Sequence, residues 1–202
     1  MPKNIELELR AIIKKEDFDP AYKKLKKIGK LVSETDRLSV MFYGTCEKNT
    51  FDAKVRITNG ASEVVIKKGD YHSPDRTEYS QNISNGEFIN MVRIFSQFGF
   101  GSKVFERTSF NFQFPDSIMI TLAKAGEYSY LEIEKMTDKR NQNADKKTLQ
   151  NIAYDLGVLI VENKKTYYDF CSMLTEKVDW VFHGTKKDFA KLKRLLKQKI
   201  SR

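Results

Sequence analysis

Two segments far apart in the sequence each carry a pair of glutamates separated by one residue. The first is Glu6-x-Glu8, which is followed by Arg10. The second is Glu132-x-Glu134. Apolar residues alternate with the charged ones, so in an extended strand the charged side chains share one face. Carboxylate oxygens are hard ligands that suit Mg2+ or Mn2+, and the two pairs therefore predict a divalent-metal site.

Basic residues follow the same alternation on other segments. Lys54 and Arg56 share one face of their segment, and Lys67 is the cation of the next one. Lys103 and Arg107 lie on the same side of a later segment if no bulge intervenes. Lysine and arginine side chains bind phosphate oxygens. Divalent ions on the carboxylates, bridged to a polyphosphate on these cations, would balance both sets of charge.

The elements that must position these residues are eight strands and five helices. Hydrophobic periodicity and turn residues predict strands at residues 3–14, 36–44, 50–58, 62–68, 75–83, 102–114, 117–124 and 128–136. The same signals predict helices at residues 17–29, 87–97, 145–156, 166–175 and 185–200. Short connections favour an antiparallel sheet closed on itself, because closure removes exposed edges. We therefore expect an α+β fold, an eight-stranded antiparallel β-barrel (a tunnel) with helices packed outside and charged side chains inside.

The positive charge of the chain is concentrated at its C-terminal end. The 202 residues have a net charge of +9, and residues 183–202 hold eight basic residues and one acidic residue, which leaves +2 for the rest. We favour a closing helix with a solvated lysine face over an arm that binds RNA, membrane or polyphosphate. The expected organisation is one domain over residues 1–180, closed or extended by a basic helix over residues 181–202. Nucleic acid is a less favoured partner than a small molecule that contains a triphosphate.

Several classes of protein are not expected from this sequence. No apolar run approaches the roughly 18 residues of a membrane span, and no secretory signal is visible, so we expect a cytoplasmic monomer or homodimer. Gly99-x-Gly101 lacks the third glycine of a dinucleotide fingerprint, and Gly101-Ser102-Lys103 lacks the rest of a P-loop. Cys46 and Cys171 have no apparent histidine partner for nucleophilic catalysis.

An ordered series of these motifs resembles the CYTH superfamily, the triphosphate tunnel metalloenzymes, which include CyaB-type adenylyl cyclases and thiamine triphosphatases. The opening Glu6-x-Glu8-x-Arg10 resembles the family's Glu-x-Glu-x-Lys signature. The resemblance covers roughly residues 4–175. It continues through Ala53 to Ile57, Val64 to Gly69, Asp75 to Glu78, Phe98 to Phe100, Val104 to Arg107, Leu131 to Glu134 and Thr166 to Asp169.

The resemblance implies a tunnel that binds a triphosphate with one or two divalent cations, Mg2+ or Mn2+. It makes four glutamates the catalytic and metal-binding carboxylates: Glu6, Glu8, Glu132 and Glu134. Glu78 would add a metal ligand. The triphosphate-binding cations would be Arg10, Lys54, Arg56, Lys67, Arg76, Lys103 and Arg107.

The sequence departs from the family pattern at three places. Arg10 replaces the usual lysine, which keeps the charge and changes the donor geometry. Phe105 stands where a cation is common, and Lys103 could compensate on the same face. The strand before the last Glu-x-Glu usually carries an aspartate, whereas Ile120 to Ala123 contains no acid. A missing ligand would weaken a second metal ion or redirect the chemistry.

Three functions follow from this pattern. The first is metal-dependent hydrolysis of a triphosphate, whether inorganic tripolyphosphate, a nucleoside triphosphate or thiamine triphosphate. The second is an adenylyl cyclase that converts ATP to cyclic AMP and pyrophosphate. The third is a non-catalytic module that binds polyphosphate or RNA, and the absent aspartate favours it slightly.

Overall fold

The structure is a computed structural model that describes residues 5–46, 49–68, 77–161 and 164–201. The described strands are β1 (Ile5–Ile13), β2 (Lys30–Cys46), β3 (Asn49–Thr58), β4 (Ala61–Lys68), β5 (Thr77–Ile83), β6 (Gly101–Gln113), β7 (Met119–Ala125), β8 (Tyr128–Thr137) and β9 (Trp180–Val181). The described α-helices are α1 (Phe18–Ile28), α2 (Phe88–Ser96), α3 (Gln142–Leu156), α4 (Lys164–Lys177) and α5 (Lys186–Ile200). None of these helices is long and apolar enough to cross a membrane.

The strands pair antiparallel in the order β1-β8-β7-β6-β2-β3-β4-β5, and β9 pairs with β6. The α+β class and the antiparallel sheet are therefore confirmed. The sheet is open, because among the described residues no pairing joins its two edge strands, β1 and β5. We expected eight strands that close into a barrel, and the described strand pairings do not close one.

Two compact units make up the chain. Unit 1 consists of Met1–Thr35 and Thr108–Leu174, and unit 2 of Asp36–Arg107 and Thr175–Arg202. Strands β2 and β6 each continue from one unit into the other. The division at residue 180 stays a prediction.

The core of unit 1 lies between its strands and helices α1 and α3. Alternation places Leu7, Leu9, Ala11 and Ile13 of β1 on the apolar face. The fully buried side chains that meet them are Leu25, Phe112, Ile120, Leu122, Leu131, Leu149 and Ala153. Gly29 ends α1 at a close approach, because an added Cβ would lie 2.5 Å from the Phe114 ring. The charged residues of β1 are left on the opposite face.

The core of unit 2 is built in the same way from β2, β3 and helices α2 and α5. It contains Leu38, Val40, Phe42, Val55, Ile57, Phe88, Val92, Leu192 and Leu196. Helix α5 begins with a capping box, in which the Thr185 hydroxyl accepts from the Asp188 amide and the Asp188 carboxylate accepts from the Thr185 amide. Near its end, the buried Lys199 ammonium pairs with Asp36 and with Glu106, the latter at 3.0 Å. The basic C-terminal helix is thus part of the core of unit 2.

We expect Leu192→Ala to lower the free energy of unfolding by about 2–5 kcal/mol, because Leu192 is fully buried and its loss leaves a cavity. Urea denaturation followed by circular dichroism measures the effect. The neighbouring Lys193 is exposed, so Lys193→Ala is the control and should change the free energy by less than about 0.5 kcal/mol. Equal effects of the two substitutions would contradict the packing of α5.

Candidate functional site

The polar face of unit 1 brings the two glutamate pairs together across neighbouring strands. In the register of β1 and β8, Glu8 is opposite Glu134 and Arg10 is opposite Glu132. The described side chains Glu8, Arg10, Glu132 and Glu134 lie on the face of these strands opposite the apolar core, as the alternation predicts. The backbone of Glu6 lies on the same strand, and its side chain is outside the described part of the structure.

Arg10 lies between carboxylates of both strands. Its Nη2 donates to Glu8 Oε2 at 2.5 Å, and its Nε donates to Glu132 Oε1 at 3.4 Å. The three side chains are each about one quarter exposed, at 24%, 25% and 27%. This guanidinium therefore neutralises carboxylates of both strands, a role that the sequence analysis did not predict for it.

The register of β1 and β8 places glutamates of like charge opposite each other. Carboxylates directly opposite each other on adjacent strands, such as Glu8 and Glu134, repel, and like charges in this position destabilise a sheet. Among the described side chains, no group of three His, Cys, Asp or Glu residues is placed to hold a metal ion. Mg2+ is commonly bound by only one or two carboxylates together with substrate phosphates. The donor set of unit 1 fits a metal ion that binds with a phosphate substrate.

The strand before the last glutamate pair, β7, carries a threonine beside that pair. Thr121 of β7 is opposite Glu132, on the polar face. Its hydroxyl donates to Asn111 Oδ1 at 2.8 Å, and Asn111 Nδ2 donates to Ser33 Oγ at 2.8 Å. A neutral hydrogen-bonded chain therefore stands where a further carboxylate would increase the negative charge.

The polar face of unit 2 carries predicted cations, and each one that the structure describes has an acidic partner. Lys54 Nζ lies 2.6 Å from Asp52 Oδ1, and Arg56 Nε lies 2.8 Å from Glu63 Oε1. The next strand pair contributes Lys67 and Glu78, whose charged atoms are 2.8 Å apart. The register of β3, β4 and β5 aligns these residues on one face, opposite the apolar core. Arg76 lies outside the described residues.

The basic residues on β6 share one buried carboxylate. Arg107 donates to Asp179 at 2.9 Å and 3.3 Å, and Lys103 donates to the same side chain at 3.3 Å. Phe105 lies between the two cations on the same face of β6, and both charged groups lie within 6 Å of its ring centroid: Lys103 at 5.8 Å and Arg107 at 5.0 Å. Phe105 thus supports the two neighbouring cations instead of supplying a third.

Sequence reasoning missed two charged residues of this face. Arg37 of β2 donates from Nε to Thr58 Oγ1 at 2.9 Å, and the alternation of β2 could have identified it. Asp179 carries no such signal, because it lies outside the strands, between α4 and β9. Only the fold brings it beside Arg107.

The pKa of Glu78 is lowered from its usual value. Burial acts in the opposite direction, and it is outweighed by the hydrogen bond and charge of Lys67 together with the charges of Arg56 and Lys54. Glu78 is therefore ionised at neutral pH. A carboxyl with a lowered pKa stabilises the fold above its unfolded pKa, and this contribution is lost as the pH falls through the folded pKa.

We expect Glu78→Gln to lower the melting temperature at neutral pH and to leave it close to that of the wild type in strong acid. The wild-type carboxylate loses its ionic contribution when it is protonated, and glutamine has none to lose. Melting curves between about pH 7 and pH 3 measure the difference between the two proteins. A difference that stays constant over this range would exclude an ionic contribution of Glu78.

Comparison with known proteins supports the fold. No family model matches the chain, and no curated protein matches it. Solved structures do: a candidate adenylate cyclase from Vibrio parahaemolyticus is 16% identical, with 93% of this chain and 98% of that chain covered and a TM-score of 0.56. The chain shares the fold of candidate adenylate cyclases. This likeness agrees with the antiparallel α+β fold that the resemblance predicts.

Two further solved structures have the same fold. A protein from Pyrococcus horikoshii OT3 is 17% identical, with 83% of this chain and 99% of that chain covered and a TM-score of 0.60. A candidate adenylyl cyclase from Hippeastrum, described as having a dominant triphosphatase activity, is 13% identical. The alignment covers 84% of this chain and 96% of the Hippeastrum chain, with a TM-score of 0.51.

Proposed function

We propose that the chain is a divalent-metal-dependent hydrolase of a triphosphate substrate, which it binds in a charged β-tunnel. The observation that carries this proposal is the opposition of Glu8 and Glu134 on the polar face of unit 1, beside the Arg10–Glu132 pair. The fold shared with candidate adenylate cyclases, one of them described as having triphosphatase activity, adds support. The substrate would be tripolyphosphate, a nucleoside triphosphate or thiamine triphosphate.

The glutamates of unit 1, which are Glu6, Glu8, Glu132 and Glu134, would hold Mg2+ or Mn2+ through one or two carboxylates, and phosphate oxygens of the substrate would be the remaining ligands. Bound to phosphate oxygens, the ion would supply Lewis-acid stabilisation of the charge that develops on the phosphates. Arg10 would exchange its carboxylate partners for a phosphate when substrate and metal bind. Glu78 is better assigned to Lys67, its ion-pair partner, than to the metal.

The cations of unit 2 would bind the phosphates, and their acidic partners would hold them in place beforehand. Arg56 and Lys67 are paired with part-exposed carboxylates, which phosphate oxygens could replace at small cost. Lys54 differs, because its partner Asp52 is buried. Preorganised cations need little rearrangement as charge develops in the transition state.

In the hydrolytic step, a water molecule would attack the terminal phosphorus while the bond to the bridging oxygen breaks. The products are orthophosphate and a diphosphate, and the water loses one proton. A glutamate of unit 1 would orient this water and accept the proton. Catalysis would depend mainly on positioning and electrostatics, as in other phosphoryl transfers.

Cyclisation of ATP is the second candidate, favoured by the fold shared with the Vibrio parahaemolyticus protein. The ribose 3′-hydroxyl would then attack the α-phosphorus, and pyrophosphate would leave. The same residues would bind the triphosphate in both reactions. The two functions therefore differ in their products and not in the residues described above.

Phosphorus NMR of the products formed from ATP with Mg2+ or Mn2+ tests the proposal. Orthophosphate with ADP is the expected result. Cyclic AMP with pyrophosphate would overturn hydrolysis in favour of the cyclase. An unchanged spectrum, with ATP bound in a calorimeter, would favour the non-catalytic binding module.

The role of the basic helix needs a separate variant. Removing residues 185–202 would also remove Leu192 and Leu196 from the core, so a loss of binding would not be informative. Lys187→Glu with Lys191→Glu changes only exposed side chains of α5. RNA binding that survives this double substitution would exclude the helix as a nucleic-acid site.

A further inference from the structure

Asp179 is a buried carboxylate with two cationic partners. Its side chain has no solvent exposure, and it accepts from Arg107 Nη1 at 2.9 Å, from Arg107 Nη2 at 3.3 Å and from Lys103 Nζ at 3.3 Å. A buried charge of this kind is tolerated only when it is paired and hydrogen-bonded. Asp179 carries one negative charge, and Lys103 and Arg107 together carry two positive charges. The three side chains therefore have a net charge of about +1.

The contacts of Arg107 leave one edge of its guanidinium available. A guanidinium has five N–H donors. Nη1 donates to Asp179 and, at 2.7 Å, to the Glu106 carbonyl, while Nη2 donates once to Asp179. For the Nε hydrogen and the second Nη2 hydrogen, no acceptor is found among the residues that the structure describes. These two donors form the parallel fork that matches two oxygens of a phosphate.

Lys103 is held in a similar way. Its Nζ donates to Thr175 Oγ1 at 2.8 Å and to Asp179 at 3.3 Å. The ammonium has a further N–H, and the side chain is 18% exposed. The Phe105 ring contacts both cations, with its centroid 5.8 Å from Lys103 Nζ and 5.0 Å from Arg107 Cζ.

From these contacts we infer that Asp179 is a positioning residue for phosphate binding. Asp179 binds Nη1 and Nη2 of Arg107, so that the Nε and Nη2 donors on the other edge can bind a phosphate. Together with Thr175, Asp179 also holds the ammonium of Lys103. Because Asp179 has no solvent exposure and occupies the Nη1–Nη2 edge of Arg107, it does not compete with phosphate for the Nε edge. This inference rests on the proposed function for its substrate class, a triphosphate anion.

The test is a double-mutant cycle of Asp179→Asn with Arg107→Ala, measured with tripolyphosphate. Asparagine keeps the shape and removes the charge, so we expect the KM to rise about tenfold, with a smaller change in kcat. Because Asp179 acts through Arg107, adding Asp179→Asn to Arg107→Ala should raise the KM by less than about twofold. Independent effects that multiply in the double variant would overturn the inference, as would a wild-type KM in Asp179→Asn.

Asp36→Asn is the matched control. Asp36 is also an acid of unit 2 that pairs with a buried lysine, Lys199, on the helix-covered side. We expect this variant to lower thermal stability and to leave the KM unchanged. If Asp179→Asn does not fold, Thr175→Val removes one hydrogen bond to Lys103 and should raise the KM about threefold. An unchanged KM in that variant would count against the inference.

Calorimetric titration with tripolyphosphate separates this inference from the proposed function. If the wild type binds the anion and does not hydrolyse it, the proposed function fails and the cycle is repeated on dissociation constants. If the wild type neither binds nor hydrolyses tripolyphosphate, both proposals are overturned. If the wild type binds tripolyphosphate and Asp179→Asn binds it with the same affinity, the inference about Asp179 is overturned and the proposed function is not.

Discussion

Replacing Glu134 by glutamine is expected to lower the turnover of tripolyphosphate by about 100-fold or more. Glutamine keeps the size of the side chain and removes the charge opposite Glu8, and with it one proposed metal ligand. Transition-state stabilisation by a bound metal ion contributes several kcal/mol, so its loss has a large effect on rate. Steady-state rates at increasing Mg2+ should also show a weaker apparent affinity for the metal.

Glu127→Gln is the matched control for this substitution. Glu127 is an exposed acid of unit 1 that pairs with Lys15 at 2.7 Å. Its charge is lost in the same way, and we expect wild-type turnover. A Glu134→Gln protein as active as this control would remove the glutamates from the proposed mechanism.

Replacing Arg56 by alanine is expected to lower kcat/KM by about 100-fold, mainly through KM. Arg56 lies two residues before the end of β3, and its side chain is 16% exposed, so little water screens its charge. Its removal also leaves Glu63 facing the phosphates without its cation. Arg56→Lys separates charge from geometry and should recover only part of the loss, because lysine cannot donate from two fixed positions.

Arg93→Ala is the control for the arginine substitutions. Arg93 is an exposed residue of α2 that lies over the Phe189 ring at 5.4 Å, on the helix-covered side of unit 2. Kinetics with tripolyphosphate should be unchanged in this variant. An Arg56→Ala protein with the kinetics of Arg93→Ala would show that β3 does not bind phosphate.

The alternation of apolar and charged residues made most of the fold predictable from the sequence. The first predicted strand, 3–14, corresponds to β1 at Ile5–Ile13, and the helix predicted at 185–200 corresponds to α5 with Thr185 as its N-cap. Strand β2 begins at Lys30, six residues before the prediction, because Gly29 ends α1 in an extended conformation that leads directly into the strand. Strand β9 was missed, since two residues give no periodic signal.

The same alternation predicted which charged residues share a face, but not what each side chain contacts. Arg10 contacts both Glu8 and Glu132 because of the register in which β1 and β8 pair. A single sequence does not reveal the register of two strands that are far apart in the chain. The role of Asp179 depends on a contact with Arg107 across 72 residues of sequence. Short-range patterns carry no information on contacts of this range.

The ion pairs of unit 2 have a consequence for substrate binding. Four of its described acids, Asp52, Glu63, Glu78 and Asp179, already compensate the predicted cations. A phosphate must therefore displace the exposed acids or join the available edges of the cations. Under the proposed function this requirement would favour substrates with several phosphates, since one phosphate reaches fewer of these cations than three do.

The most direct test of the account is the rate of orthophosphate release from tripolyphosphate by the purified chain, with Mg2+ or Mn2+ and with a chelator. We expect release that saturates with the metal concentration and stops when the metal is removed. Release that is unaffected by the chelator would contradict the role of the glutamates. No release at any metal concentration would contradict the proposed hydrolysis itself.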